Sequence, residues 1–288
     1  MPALIDLRRR IKSVRNTQQI TQAMKTVATA KLKKSQRLVL ESRPYWHTYP
    51  PFIAQIIAAA ERLKHPLLSQ REEKKIEAVV VTSDKGLCGA FNSNLLEEAL
   101  VFLKEKAEKS EVRLILMGKK ALTFFKKYPF PNDRIYAGQI EKLPQEDLDD
   151  LARFLIELYT LEKIDAVYVI YNEFKSILAP KITISKILPL NVSAQDEPPS
   201  WQTSGWEPNI ETIFNVFLPQ YVASQIFHTF YESLAAEQAA RMMAMENASQ
   251  NAEDLISDLT LILNKMRQAS ITKELLEIMT AVEALSGK

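Results

Sequence analysis

Between Ala3 and Arg43 apolar side chains return in steps of three and four, at Leu4, Leu7, Ile11 and Val14. The same track then carries Gln18, Thr21 and Lys25 before recovering at Ala28, Leu32 and Val39. Such steps mark one face of a helix and, when sustained, the seam of a coiled coil. Neither Gly nor Pro interrupts the stretch, and a helix of roughly 40 residues measures about 60 Å. The polar middle weakens a pure seam and predicts polar contacts or freedom to move there. Pro44 and the pair Pro50-Pro51 are expected to end or break the helix.

From about Glu77 to Leu190 the period changes. Ala78–Thr82, Val112–Met117 and Ala166–Tyr171 are short β-branched or aliphatic runs. Helical stretches near Ser93–Lys109, Lys119–Tyr128 and Gln145–Leu161 separate them. Alternation of this kind predicts a βαβ domain with a parallel sheet. Asn172–Ser176 and Lys181–Leu190 read as a further pair of edge elements. Residues 191–209 are polar and broken by Pro198, Pro199 and Pro208, an exposed connector.

Beyond Pro219 there is no proline, and no glycine before Gly287. Residues 220–286 fit one helix of about 100 Å. Its periodic apolar positions are Val222, Ile226 and Phe230, then Leu255, Leu259, Ile262, Met266 and Ala269, and finally Leu275, Ile278, Val282 and Leu285. Around Ala235–Ala252 the track is rich in Ala and Met, which permits close, pliable packing. An average helix has about 11 to 12 residues, so this length demands its own explanation. The fold class expected is α/β: a long antiparallel coiled coil of N- and C-terminal helices plus a small Rossmann-like α/β domain with a mainly parallel sheet. The boundaries expected are 1–60 and 210–288 for the coiled-coil helices, 75–190 for the α/β domain and 191–209 for the connector.

Composition supports long elements. Only 6 of 288 residues are glycine, where average usage gives about 20, so tight turns are few. The formal net charge of +2 conceals a polarity. Residues 1–40 hold ten Lys or Arg against one acid, and residues 211–288 hold five against ten acids. Opposite charges favour side-by-side packing of the two ends and leave basic surface for an acidic partner. A lone cysteine, Cys88, excludes an internal disulfide and fits a reducing compartment. No apolar stretch approaches the roughly 18 to 20 residues that span a bilayer. The basic, amphipathic start lacks the apolar core of a secretory signal.

Chemistry-bearing motifs are thin. Ser83–Gly89 follows a strand where a phosphate loop would stand, but it has neither G-x-G-x-x-G spacing nor a G-K-[ST] end. It reads as a tight structural turn, with Cys88 a packing thiol. His47, His65 and His228 are scattered, so no metal site is expected. Glu146, Asp147, Asp149 and Asp150 read as a solvated helix start. Arg8-Arg9-Arg10 and Lys31, Lys33 and Lys34 lack the interleaved aromatics of a single-strand nucleic-acid binder. No cofactor, nucleic acid or direct membrane insertion is expected.

Four blocks carry a resemblance: Ile11–Lys25 running on to Leu32; Ser83–Asn92; Tyr171–Ser176; and Arg241–Ala248 with Asn264–Gln268 and Ile271–Ile278. Through them the chain resembles, over its whole length, the gamma subunits of F-type ATP synthases. The likeness departs at Thr280-Ala281-Val282, where the family usually has Gly-Gly-Ala; without glycines that turn should be stiffer and bulkier. The chain also lacks the cysteine-bearing insertion of the chloroplast relatives.

The resemblance implies a non-catalytic central shaft, present once per complex. Its paired helices would enter a ring of three alpha and three beta subunits, and its α/β domain would sit against the epsilon subunit and the c-subunit ring. A peripheral place on the cytoplasmic face of a bacterial inner membrane follows. The implied contacts with the alpha/beta ring are Met24, Lys25, Arg241, Gln268, Thr272, Glu274 and Glu277. The alternative is a coiled-coil scaffold that binds a partner without rotating; co-purification with a hexameric ATPase separates the two.

Overall fold

The structure is a computed structural model that describes residues 2–59, 65–176, 180–190 and 210–286. Its elements in chain order are α1 (Pro2–Ala59), β1 (Lys75–Val81), α2 (Phe91–Ala107), β2 (Glu111–Met117), α3 (Lys119–Phe125), β3 (Asn132–Tyr136), α4 (Gln145–Thr160), β4 (Ala166–Phe174), β5 (Pro180–Leu188) and α5 (Ile210–Ser286). The chain divides into two compact units, residues 29–241 and residues 1–28 with 242–288, so α1 and α5 each supply a segment to both. The expected connector, 191–209, lies outside the described residues.

One expectation about proline is corrected: α1 continues through Pro44, Pro50 and Pro51. α5 likewise runs through Pro219. A proline ring removes one backbone donor, but each residue added to an existing helix restores a bond. A long helix therefore absorbs the loss without ending.

Residues 29–241 are built on a five-stranded sheet in the order β3-β2-β1-β4-β5. β1 pairs parallel with β2 and β4, β2 pairs parallel with β3, and β5 runs antiparallel on β4. β1 is buried on both faces, which is why it reads as an almost continuous apolar run. Ile76, Ala78 and Val80 pack with Leu95, Ala99 and Leu103 of α2 and Phe125 of α3. On the other face Val79 and Val81 pack with Leu151 and Leu155 of α4 and with Phe214, Leu218, Val222 and Phe230 of α5. Roughly the first six turns of α5 thus complete a three-layer core.

β3 has no counterpart in the sequence reading. Its residues, Asn-Asp-Arg-Ile-Tyr, lack an apolar run because it is a sheet edge, where charge guards against pairing with other chains. Arg113 of β2 holds it through three bonds to Asp133, one from Nη2 and two from Nε at 2.9 and 3.0 Å. Asn172–Phe174 are the end of β4 rather than a separate edge element.

In residues 1–28 and 242–288 the two helices run antiparallel. Thr21 Oγ1 meets Ser249 Oγ at 2.7 Å, and Lys25 is ion-paired with Glu246. The polar middle of the α1 track is where these contacts fall. Leu4, Leu7, Ile11, Val14, Gln18, Thr21 and Lys25 are half-buried and Ala28 is buried, following the spacing read from the sequence. On α5 Leu259 and Met266 lie in the seam as read from the sequence, but Ile256 and Leu263 take the places of Leu255 and Ile262, and Ala269 is exposed. The seam runs through Met245, Ser249, Ala252, Ile256, Leu259, Leu263 and Met266, whereas Leu255 and Ile262 are 38% and 46% exposed. Apolar residues occupy two faces of this stretch, so periodicity alone does not say which one faces α1.

Candidate partner-binding surface

Counting 17 residues along each helix from the Thr21–Ser249 contact brings Leu4 level with Met266. Residues past about 270 therefore extend beyond the start of α1. There α5 presents Ile271, Leu275, Leu276, Ile278, Met279 and Val282, each 50–66% exposed. Polar groups are interleaved with them. Thr272 Oγ1 donates to the Gln268 carbonyl at 3.0 Å, Ser270 lies 3.3 Å from Glu274, and Lys273 pairs with Glu277 at 3.8 Å. Gln268, Thr272, Glu274 and Glu277 are all exposed and share this segment. Their bonds are local to one helix and typically contribute only about 0–1 kcal/mol, so a partner displaces them at little cost. Thr280-Ala281-Val282 continues the helix without a break, and Thr280 Oγ1 bonds the Leu276 carbonyl at 2.9 Å.

The other sequence-named residues lie elsewhere. Met24 and Lys25 are half-buried on α1, with Lys25 engaged by Glu246. Arg241 is 7% exposed. Its guanidinium bonds Glu237 at 2.7 Å and the carbonyls of Lys85 and Gly86 at 3.4 Å, with Glu141 at 3.9 Å. Burial raises the Glu237 pKa, and the Arg241 charge opposes that rise. The arginine is a clamp between α5 and the loop after β1.

In that loop, Ser83–Gly89, Ser83 and Asp84 bond back to the protein, whereas Lys85 is exposed. The Asp84 carboxylate accepts from the amides of Lys119, Gly138 and Ile140 at 2.8–3.0 Å. The start of α3, which a phosphate loop would leave open for an anion, is thus occupied by the protein's own carboxylate. Gly118, at φ 96°, is required beside it: a Cβ there would stand 2.4 Å from the Thr82 carbonyl oxygen. Cys88 is buried, accepts from Asn92 Nδ2 at 3.1 Å, and burial raises its pKa, so it is a packing thiol. Both the turn and the thiol match the sequence reading.

Glu77, on β1, was not singled out by the sequence. It is fully buried, and neither carboxylate oxygen has a hydrogen-bond partner. Burial, reinforced by Asp133 and opposed by Arg113, pushes its pKa up to about 8. Glu146 and Asp147 do occupy the first turn of α4, and Asp150 pairs with Arg134 at 2.9 Å. Among the described residues no group of three His, Cys, Asp or Glu side chains is placed to hold a metal. None of the described helices is long and apolar enough to cross a membrane.

A sequence profile described as ATP synthase matches residues 3–285. The ATP synthase gamma chain of Anaeromyxobacter dehalogenans is 43% identical over 99% of this chain and 100% of the relative. That of Pelotomaculum thermopropionicum is 40% identical over the same shares. Among solved structures, a chain of the Tetrahymena thermophila mitochondrial ATP synthase central stalk and c-ring is 25% identical with a TM-score of 0.60, covering 80% of this chain and 99% of that one. A chain of the Euglena gracilis mitochondrial ATP synthase rotor shares the fold, with a TM-score of 0.65 at 20% identity, covering 94% and 99%.

Proposed function

The chain belongs to the ATP synthase gamma family, and we propose on that premise that its exposed α5 segment, residues 268–282, is the surface through which it drives the catalytic ring. It is a non-catalytic central-stalk subunit that carries torque between the c-subunit ring and the catalytic beta subunits, in synthesis or, run backward, in hydrolysis. Its partners are three alpha and three beta subunits, the epsilon subunit and the c ring. Its place is peripheral, on the cytoplasmic face of the bacterial inner membrane.

The observation that carries the reading is the apolar series Ile271, Leu275, Ile278 and Val282 extending beyond the start of α1. Contiguous exposed apolar surface marks a binding face, and a bearing made of it binds without fixed ion pairs that would hold one angle. Gln268, Thr272, Glu274 and Glu277 add directional bonds that make one side of the shaft differ from the next. That difference is essential, because a shaft with equal affinity for every beta conformation shifts none of them. Met24 and Lys25 border the same helix pair and are proposed as lesser contacts. Arg241 reaches the ring only by exchanging Glu237 for a partner carboxylate.

The test is a complex reconstituted in vesicles with Leu275→Asp and Ile278→Asp together. ATP-driven proton pumping is expected to fall at least tenfold, and by more than hydrolysis does. Pumping and hydrolysis both at wild-type rates would contradict the assignment.

A further inference from the structure

Within residues 29–241 both long helices meet the sheet-bearing part of the chain at one carboxylate. The turn Glu141–Leu143 lies along a groove between α1 and α5, bordered by Lys31 and Leu38 of the first and by Leu234 and Gln238 of the second. Glu141 reaches both sides of it. Its Oε2 accepts from Lys31 Nζ at 2.5 Å. Its Oε1 accepts from Gln238 Nε2 at 3.3 Å, with Arg241 Nη1 at 3.9 Å.

The turn that carries Glu141 is itself held. Asp84, in the loop after β1, accepts from the Gly138 amide through Oδ1 and from the Ile140 amide through Oδ2, each at 2.8 Å. Ile140 is 3% exposed and belongs to the core on the α4 side of the sheet. Glu141 thus stands on a base fixed by backbone and side chain alike. Burial works against its charge, but the Lys31 bond and the charges of Lys31, Lys85 and Arg241 outweigh it and hold the carboxyl below its usual range. It is therefore ionised, and the bonds it accepts are of the stronger, charge-assisted kind.

The two helices differ in how else they are gripped. α5 places Phe214, Leu218, Val222 and Phe230 in the core, so the sheet holds it directly. Among the described residues no α1 side chain belongs to either core flanking the sheet, although Leu32 and Val39 are buried. Apolar contact is non-directional and resists rolling of one helix on another only weakly. A hydrogen bond fixes direction as well as distance. The tie from Glu141 to Lys31 therefore stiffens a junction that apolar packing leaves soft.

We propose, on the torque-carrying role given above, that Glu141 is a positioning residue that locks the roll of α1 and α5 to the sheet, so that the three turn as one body.

The test reads twist rather than stability. In a complex whose alpha/beta ring is fixed to a surface, a bead on Val101→Cys, an exposed position of α2, reports the angle of the sheet-bearing part. While the rotor waits for ATP at limiting concentration, the mean-square angular fluctuation of the bead measures the softness between ring and sheet. Glu141→Ala is expected to raise it about twofold. Lys31→Met keeps the side-chain stem and leaves Glu141 to Gln238 and Arg241, so it is expected to raise the fluctuation less. It also keeps the test open where Glu141→Ala fails to assemble. The two changes together are expected to do no more than Glu141→Ala alone, because they break a shared contact. A brace that served folding only would lower the denaturation midpoint and leave the fluctuation as it was. Fluctuation equal to wild type in both single variants overturns the proposal, as does a double variant in which the two effects add. A wild-type bead that never rotates when ATP is raised would overturn the torque-carrying role itself, which keeps the two failures apart.

Discussion

One helix, α5, has two apolar stretches with opposite fates. Phe214, Leu218, Val222, Ile226 and Phe230 are at most 3% exposed against the sheet and α4, whereas Leu275, Ile278, Met279 and Val282 are 56–66% exposed. Composition does not separate them; what lies opposite does. Burial of the first stretch is explained inside the chain, as a core layer. The second has no partner among the described residues, and soluble proteins rarely leave that much contiguous apolar surface without a use. A side chain in the first stretch should therefore matter for folding, and one in the second for coupling.

The largest expected effect tests the first half of that contrast. Phe214→Ala should destabilise the chain by about 3–5 kcal/mol, read as a lowered denaturation midpoint; a change below about 1 kcal/mol would remove the distinction. Arg241→Met comes next, at about 3 kcal/mol, because it strands the Glu237 carboxyl in a buried place. Were Arg241 chiefly a ring contact, stability would be unaffected and only coupled turnover would fall.

Glu77→Gln sharpens the picture of the sheet core in the opposite direction. The folded pKa of Glu77, about 8, lies above its ordinary value of 4.5. Its stabilising contribution is therefore fully present below about pH 4.5 and is lost as pH rises through about 8. Glutamine, which carries no charge, should flatten that dependence and leave the variant more stable at pH 8 by about 1–3 kcal/mol. Parallel stability-against-pH curves for the two proteins would contradict this.

The smallest stability effects belong to the exposed stretch. Leu275→Ala should change stability by no more than about 0.5 kcal/mol while lowering coupled turnover in the complex. Glu277→Ala should behave likewise, with little loss of assembly; unchanged synthesis and hydrolysis rates would remove Glu277 from the proposed contacts.

Much of this architecture was legible in residue spacing. The α1 track from Leu4 to Val39 is the packed face, and the three apolar runs are β1, β2 and the core of β4. What was not legible depended on contacts between distant residues. β3 is a polar edge, so no apolar period announces it. In the α5 seam Leu259 and Met266 were legible, but Leu255 and Ile262 were read in place of Ile256 and Leu263, because these are adjacent apolar pairs and only the partner chooses between members. Arg241 was named through family resemblance, and its four-residue spacing from Glu237 says nothing of the Lys85 and Gly86 carbonyls that meet it from 156 and 155 residues away. Gln268, Thr272, Glu274 and Glu277 came through family resemblance; the apolar residues among them are visible in the sequence but gain meaning only once α1 is seen to stop short of them.

Rotation itself tests the account most directly. Val101 on α2 is 67% exposed and Cys88 is buried, so Val101→Cys offers a selective thiol for attaching a bead. With the alpha/beta ring fixed to a surface and ATP supplied, the bead should turn continuously in one direction. ATP hydrolysis proceeding at its normal rate beneath a stationary bead would contradict the account.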